Sequence, residues 1–156
     1  MTIGIILIFY NNENNLNEDI FSEIIYQSKQ IPICLVNNGS ADKTVTILKS
    51  FNEKFQSKLT IVDIKKNKGI AFAIKAGARY LTNTNNLKYI GYLNLDSSLN
   101  LNTINKFLEF LEINKKALIG YNTKRLENKK FQRTWFKDLF SITNFLDFVS
   151  IDVQLK

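Results

Sequence analysis

An apolar run at residues 89–95 ends in Asp96, so a buried strand would deliver one carboxylate to the mouth of a sheet. A hard divalent cation takes oxygen ligands and is commonly shared between one or two carboxylates and substrate phosphates. Asn94, two residues earlier, would share the same strand face. The competing role for Asp96 is a helix cap, but the next helical pattern starts only near Asn102. Three more polar clusters follow apolar runs: Tyr10-Asn11-Asn12-Glu13, Asn37-Asn38-Gly39-Ser40-Ala41-Asp42 and Lys65-Lys66-Asn67-Lys68-Gly69. In the second, Gly39 turns the chain, and Ser40 or Asp42 either helps backbone N–H groups face a ligand or simply caps the next helix. In the third, glycines and small residues over 67–77 either bring backbone close to a nucleotide or make a tight turn and a closely packed helix. Neither cluster is the G-x-G-x-x-G fingerprint, and there is no Walker loop.

The chain has 156 residues and no histidine. That removes histidine general bases, Ser-His-Asp and Cys-His sites, and His-ligated metals. Acid/base and metal chemistry must use carboxylates, amides, hydroxyls or lysines. The single cysteine, Cys34, lies in an apolar run at 31–36. It excludes an intrachain disulfide and a cysteine-rich zinc site, and a reducing compartment is expected. Lys and Arg number 21 against 14 Asp and Glu, a net charge of +7. Residues 115–137 carry eight cations and one acid, as much as the whole excess. Such a patch attracts phosphate on a small molecule, a lipid head group or a nucleic acid. No apolar run approaches the roughly 18–20 residues that span a bilayer.

These groups need elements to position them. Near-continuous apolar runs at 3–9, 31–36, 59–64, 89–95 and 117–121 read as parallel strands buried on both faces. Between them, Leu16, Ile20 and Ile24 step by a helical period, as do Val45, Leu48, Phe51 and Phe55; Ile70, Ile74, Gly77 and Leu81; and Ile104, Phe107, Leu108 and Leu111. A basic loop and a last helix over about 132–148 complete the pattern. The expected fold is α/β, with a mostly parallel, Rossmann-like sheet and helices on both faces in three layers. Ligands bind such a sheet beyond the carboxyl ends of its strands, where strand order reverses. All four polar clusters fall there.

In this order the segments resemble the family 2 glycosyltransferases, nucleotide-sugar enzymes with the GT-A fold. The family's P-x-Y-N-E-like turn is matched by Tyr10-Asn11-Asn12-Glu13 without the proline, and its D-D-G-S-x-D-x-T by N-N-G-S-A-D-K-T from Asn37. Its N-x-G-x-x-A and later A-G are matched by Asn67, Gly69, Ala71, Ala76 and Gly77, and its D-x-D by Asn94-Leu95-Asp96. The resemblance implies that Tyr10, Asn11 and Asn37 or Asn38 hold base and ribose, with Asn12, Glu13, Ser40, Asn67 and Gly69 lining the donor site. It implies that Asn94 faces the ribose or metal and that Asp96 ligates Mg or Mn at the diphosphate. Asn37 and Asn94 stand where the family usually has Asp; an amide still reaches a base edge but gives a cation no charge.

After Leu99 the likeness runs toward the polyprenyl-phosphate branch, with its basic loop, helix and D-x-Q-x-G-F-K-like motif. Residues 120–125, Arg125, Arg133 and the terminal I-D-V-Q-L-K correspond to its beginning. The implied organisation is one domain, 1–156, with a nucleotide-sugar-binding half over 1–99 and an abbreviated acceptor half over 100–156. The implied reaction moves a sugar, with inversion, from a nucleotide-diphospho-sugar to a glycan or lipid-phosphate acceptor. Asp152 is the candidate base, and Arg125 and Arg133 the candidate contacts to an acceptor phosphate. The expected location is cytoplasmic, with peripheral contact at the inner face of the membrane; nucleic acid is not an expected partner. The alternatives are a catalytically silent nucleotide- or partner-binding remnant, or a sugar nucleotidyltransferase, whose glycine-rich N-terminal loop is missing here.

Overall fold

The computed structural model describes residues 2–55, 58–95, 101–128 and 138–154. Its centre is a five-stranded, wholly parallel sheet of β1 (Ile3–Phe9), β2 (Ile33–Asn38), β3 (Leu59–Ile64), β4 (Tyr89–Leu95) and β5 (Leu139–Ser141), in the order β3-β2-β1-β4-β5. Every residue of β1 is buried. Alternation along it divides the core: Ile5, Leu7 and Phe9 enter one cluster, Ile6 and Ile8 the other.

The first cluster is covered by α1 (Glu18–Ser28), α2 (Thr44–Lys54), α4 (Asn102–Ile113), α5 (Lys115–Asn128) and α6 (Ile142–Gln154), which contribute Phe21, Leu48, Phe107, Leu118 and Phe145 among others. The opposite face carries α3 (Ile70–Thr84), through Ala73, Ala78 and Leu81. The expected three-layer α/β architecture is therefore present. Asn17 starts α1 by accepting from the N–H groups of Asp19 and Ile20. Small residues let α3 lie close to the sheet. A Cβ at Gly77 would come within 2.9 Å of Ile6 Cγ2 and 3.0 Å of Val36 Cγ2. Cys34 is buried in β2, and burial pushes its thiol up to about 12, which keeps it an inert core group.

The second half departs from expectation. The apolar run at 117–121 is not a strand but part of α5, and the expected basic loop over 120–125 is helix as well. Leu118, Tyr121, Asn122 and Arg125 share its inward face at helical spacing, and five apolar residues alone do not separate a strand from a helix. The fifth strand is instead Leu139–Ser141, and the last helix starts at Ile142 rather than near 132. This strand pairs with β4 because Gly91 leaves room: a Cβ there would meet Phe140 Cζ at 2.9 Å and Ile142 Cγ1 at 3.0 Å. Phe107, Tyr121 and Phe145 pack tilted or edge-on around Phe140. Replacing Gly77 by Val should overpack the α3–sheet contact, lowering stability by about 1–3 kcal/mol in urea unfolding, with the m-value unchanged.

Candidate functional site

Strand order reverses between β1 and β4, since β1 continues through α1 to β2 on one side and α3 brings the chain to β4 on the other. Adjacent strands whose chains leave in opposite directions open a crevice at their carboxyl ends. A cavity of about 390 Å³ lies there, lined by Tyr10, Asn11, Asn12, Asn15, Asn38, Asn67, Gly69, Ile70, Asn94 and Leu95.

Asn12 holds its floor. The side chain is buried, accepts from the Tyr10 N–H at 2.7 Å and donates to the Leu95 carbonyl at 2.9 Å, joining the ends of β1 and β4. Its own N–H donates to Thr44 Oγ1 at 2.8 Å, tying the same turn to the start of α2. Asn11, at φ 51°, donates through its N–H to Ser40 Oγ at 3.0 Å and accepts from the Ala41 N–H at 2.9 Å. The Glu13 N–H donates to Asp42 Oδ2 at 3.1 Å, and Glu13 Oε2 accepts from the Lys43 N–H at 2.8 Å. The loops after β1 and β2 therefore cap each other. Ser40, Asp42 and Glu13 work inside this clasp.

The loop after β3 joins by backbone contact. Gly39 has φ 75°, and a Cβ on it would lie 2.2 Å from the Asn67 backbone nitrogen, so no side chain fits. Asn67 Oδ1 accepts from the Gly69 N–H at 2.8 Å, and Gly69, at φ 88°, begins α3 with no capping side chain of its own. The first-turn amides of α3 thus stand beside the cavity, with Lys66 and Lys68 exposed in the same loop.

The two asparagines that end β2 differ. Asn37 is fully engaged: Nδ2 donates to Asp63 Oδ1 at 2.8 Å, and Oδ1 accepts from the Ser40 N–H at 3.2 Å. Asn38 lines the cavity, and its buried Oδ1 has no hydrogen-bond partner. Asp63 is a residue that the sequence reading missed. It is the last but one residue of β3, beside Lys65 (Nζ–Oδ2 2.5 Å) and Lys49 (4.0 Å). The Lys65 hydrogen bond, then that from Asn37, holds its carboxyl below the usual range. An acid within the otherwise apolar run 59–64 was the available signal. For Asp42, burial pushes the carboxyl up, but hydrogen bonds from Thr44 and Glu13 outweigh it and the net direction is down.

Of the expected site residues, Tyr10, Asn11, Asn12, Asn38, Asn67, Gly69 and Asn94 meet in one cavity. Glu13, Asn37 and Ser40 support the loops around it. Arg125 lies on α5, where its guanidinium donates to the Leu139 carbonyl at the start of β5. Asp96 and Arg133 lie outside the described residues. Asp152 sits in α6, ten residues past its first, or about 15 Å of helical rise from the carboxyl end of β5.

An open parallel α/β sheet binds its ligands at the switch point, and the polar, amide-rich cavity lies there. The sequence model described as "Glycosyl transferase family 2" matches residues 4–154, and the chain belongs to that family. An uncharacterized glycosyltransferase of Rickettsia typhi is 29% identical over 135 residues, covering 86% of this chain and 40% of the relative. The minor teichoic acid biosynthesis protein GgaA of Bacillus subtilis is 27% identical over 110 residues, covering 69% of this chain and 24% of that protein. The chain thus spans less than half the length of either. A crystal structure of S. aureus TarS 1-349 in complex with UDP is similar at TM-score 0.47 and 18% identity, covering 74% of this chain and 33% of that one.

Removing the Asn12 side chain strands the Tyr10 N–H and the Leu95 carbonyl. Asn12→Ala should therefore cost about 2 kcal/mol in urea unfolding. Asp42 and Asp63, with carboxyls held low in the fold, contribute stability that is present above the ordinary carboxylate range and is lost as pH falls through their folded values. Thermal melts from neutral pH down to roughly pH 3 should show the midpoint falling below about pH 4, with a smaller fall in Asp63→Asn.

Proposed function

We propose that the switch-point cavity binds a nucleotide-diphospho-sugar and that the domain transfers its sugar to an acceptor as the nucleoside diphosphate departs. The observation that carries this reading is the cavity itself. Seven of the ten residues lining it are ones to which the family resemblance gives a place in the donor site. In it, Asn38 faces the base, since Asn37 is already occupied by Asp63 and Ser40. Tyr10, 48% exposed at the rim, offers a ring for the base or ribose to lie against. The α3 N-terminus supplies backbone N–H groups of the right sign for an anion.

Among the described residues no three Asp, Glu, Cys or His come together, and the Glu13 and Asp42 carboxylates already accept backbone N–H bonds. The set left for a cation is the Asn94 amide and Asp96, next in sequence after Leu95. That sparse set fits Mg or Mn, which keeps waters and takes phosphate oxygens as ligands. When bound, the ion neutralises charge on the departing diphosphate. The chain's own contribution is to orient the donor and, through the Asn12 and Gly39 contacts, to hold the three loops in one geometry before it binds.

A phosphate acceptor, on a glycan or a lipid, arrives ionised and needs no general base, which suits a site without histidine. A hydroxyl acceptor would need one, and Asp152 is the proposed candidate. The teichoic acid relative supports a place in cell-surface polymer synthesis. The amides at positions 37 and 94, where the family usually has Asp, favour a second reading: donor binding without transfer.

UDP-, GDP- or dTDP-sugars with Mn or Mg should raise the melting temperature by about 5 °C or more at saturating donor. No shift with any of them would sink the donor reading. In Asp96→Ala the metal-dependent part of the shift should vanish while the metal-free part persists. Binding without release of nucleoside diphosphate in the presence of acceptor would select the second reading.

A further inference from the structure

Among the described residues, six of the seven large apolar side chains that remain exposed fall into two sets, the seventh being Tyr80 on α3. Tyr10, Ile70 and Phe72 are at or next to the donor cavity, at the carboxyl ends of the strands. Tyr26, Ile113 and Ile119 lie toward the other end, where the proposed reaction gives them nothing to do. Tyr26 is 84% exposed and Ile113 86%, about as open as folded residues become.

A structured feature lies at the same end. The carboxyl ends of α1 and α4 are joined there by a Lys29–Glu112 ion pair. Between them, below the amino ends of β1, β2 and β4, lies a second cavity of about 630 Å³, larger than the donor cavity, with Leu87, Leu108 and Leu111 in its lining and Lys29 and Lys115 at its edge. The first turns of α5 continue from it with Lys115, Lys116 and Ile119, all exposed. Apolar side chains standing in solvent, one tyrosine and a row of lysines are the composition of a face that sits at a lipid–water boundary. There the apolar groups enter the acyl region and the lysines meet anionic head groups. No helix among the described residues is long and apolar enough to cross a membrane. A surface contact is what the fold has room for.

We propose that the amino end of the sheet, with Tyr26, Ile113, Ile119, Lys29, Lys115 and Lys116, is a docking surface for an anionic lipid bilayer. Charge complementarity selects this occupant. Lys115 and Lys116, both exposed, carry positive charge beyond the Lys29–Glu112 pair. Docking here leaves the donor cavity facing water, about one strand length, roughly 20 Å, above the head groups, which suits a glycan acceptor reaching out from the surface and not a lipid phosphate held in it. Donor and lipid then bind at opposite ends of the sheet without competing.

Flotation of the full chain with phosphatidylcholine vesicles, with and without phosphatidylglycerol, tests this. Binding is expected only to the anionic vesicles and should weaken as salt rises. The double variant Lys115→Glu/Lys116→Glu should lower the affinity about tenfold or more. Ile113→Ser should weaken binding at fixed charge, and Lys66→Glu/Lys68→Glu, at the cavity end, should bind like the parent. Equal binding to neutral and anionic vesicles, parental binding by Lys115→Glu/Lys116→Glu, or equal loss in Lys66→Glu/Lys68→Glu would overturn the assignment. So would a concentration-dependent dimer abolished by Ile113→Ser with no vesicle binding, which would give the face to a second copy. Nucleotide-induced melting shifts in Lys115→Glu/Lys116→Glu and Ile113→Ser keep the two sites apart: they should match the parent's whether or not vesicles bind.

Discussion

The buried side chain of Asn12 is the constraint on which the site depends. Parallel strands that diverge at a switch point have no ladder bonds beyond their last residues, so β1 and β4 would be free to splay where a ligand must be gripped. One amide closes that gap, accepting from Tyr10 on its own strand's exit and donating to Leu95 on the neighbour's. Its backbone N–H adds Thr44 at the head of α2. An amide is needed because the task calls for a donor and an acceptor in one short side chain.

Around this point the loops are organised by mutual capping. Asn11 and Glu13 serve the turn after β2, while Ser40 and Asp42 serve the turn after β1. Gly39 lets the Asn67 backbone approach to a distance that any side chain would block. Several polar groups that look functional by type are thus spent on holding the cradle. The cavity itself is left lined mainly with amides, a tyrosine and helix-start backbone. Such a lining makes many directed hydrogen bonds but provides little charge, so in the proposed function the charge of a diphosphate would fall to a cation and to the neighbouring lysines.

Much of the fold was legible in the residues. Four strands and four helices follow from runs and periods because each is long enough for its pattern to be unambiguous. The second half was not, for definite reasons. β5 is three residues long, too short to show a period, and exists because Gly91 accommodates Phe140 and Ile142. The run at 117–121 has the length of a strand, and only its packing as part of a helix over α4 and α6 decides the matter. In the site, motif order pointed to seven of the ten residues that line the cavity. It could not tell Asn37 from Asn38. Successive strand residues face opposite ways, but which way opens to the cavity depends on Asp63 reaching Asn37 across the β2–β3 register.

By itself the sequence determined the kind of chemistry available, with no histidine and one inert cysteine, and the alternation that demands a parallel sheet with polar exits. Those are properties of composition and local pattern, and each residue carries them wherever it goes. Only the tertiary structure decided which amides grip the loops and which face the cavity, that Arg125 turns to the edge strand, and that most of the exposed apolar residues divide between two ends of one sheet. These depend on groups tens of residues apart arriving within hydrogen-bond distance, and distances of that kind are set by how the strands pair and the helices pack.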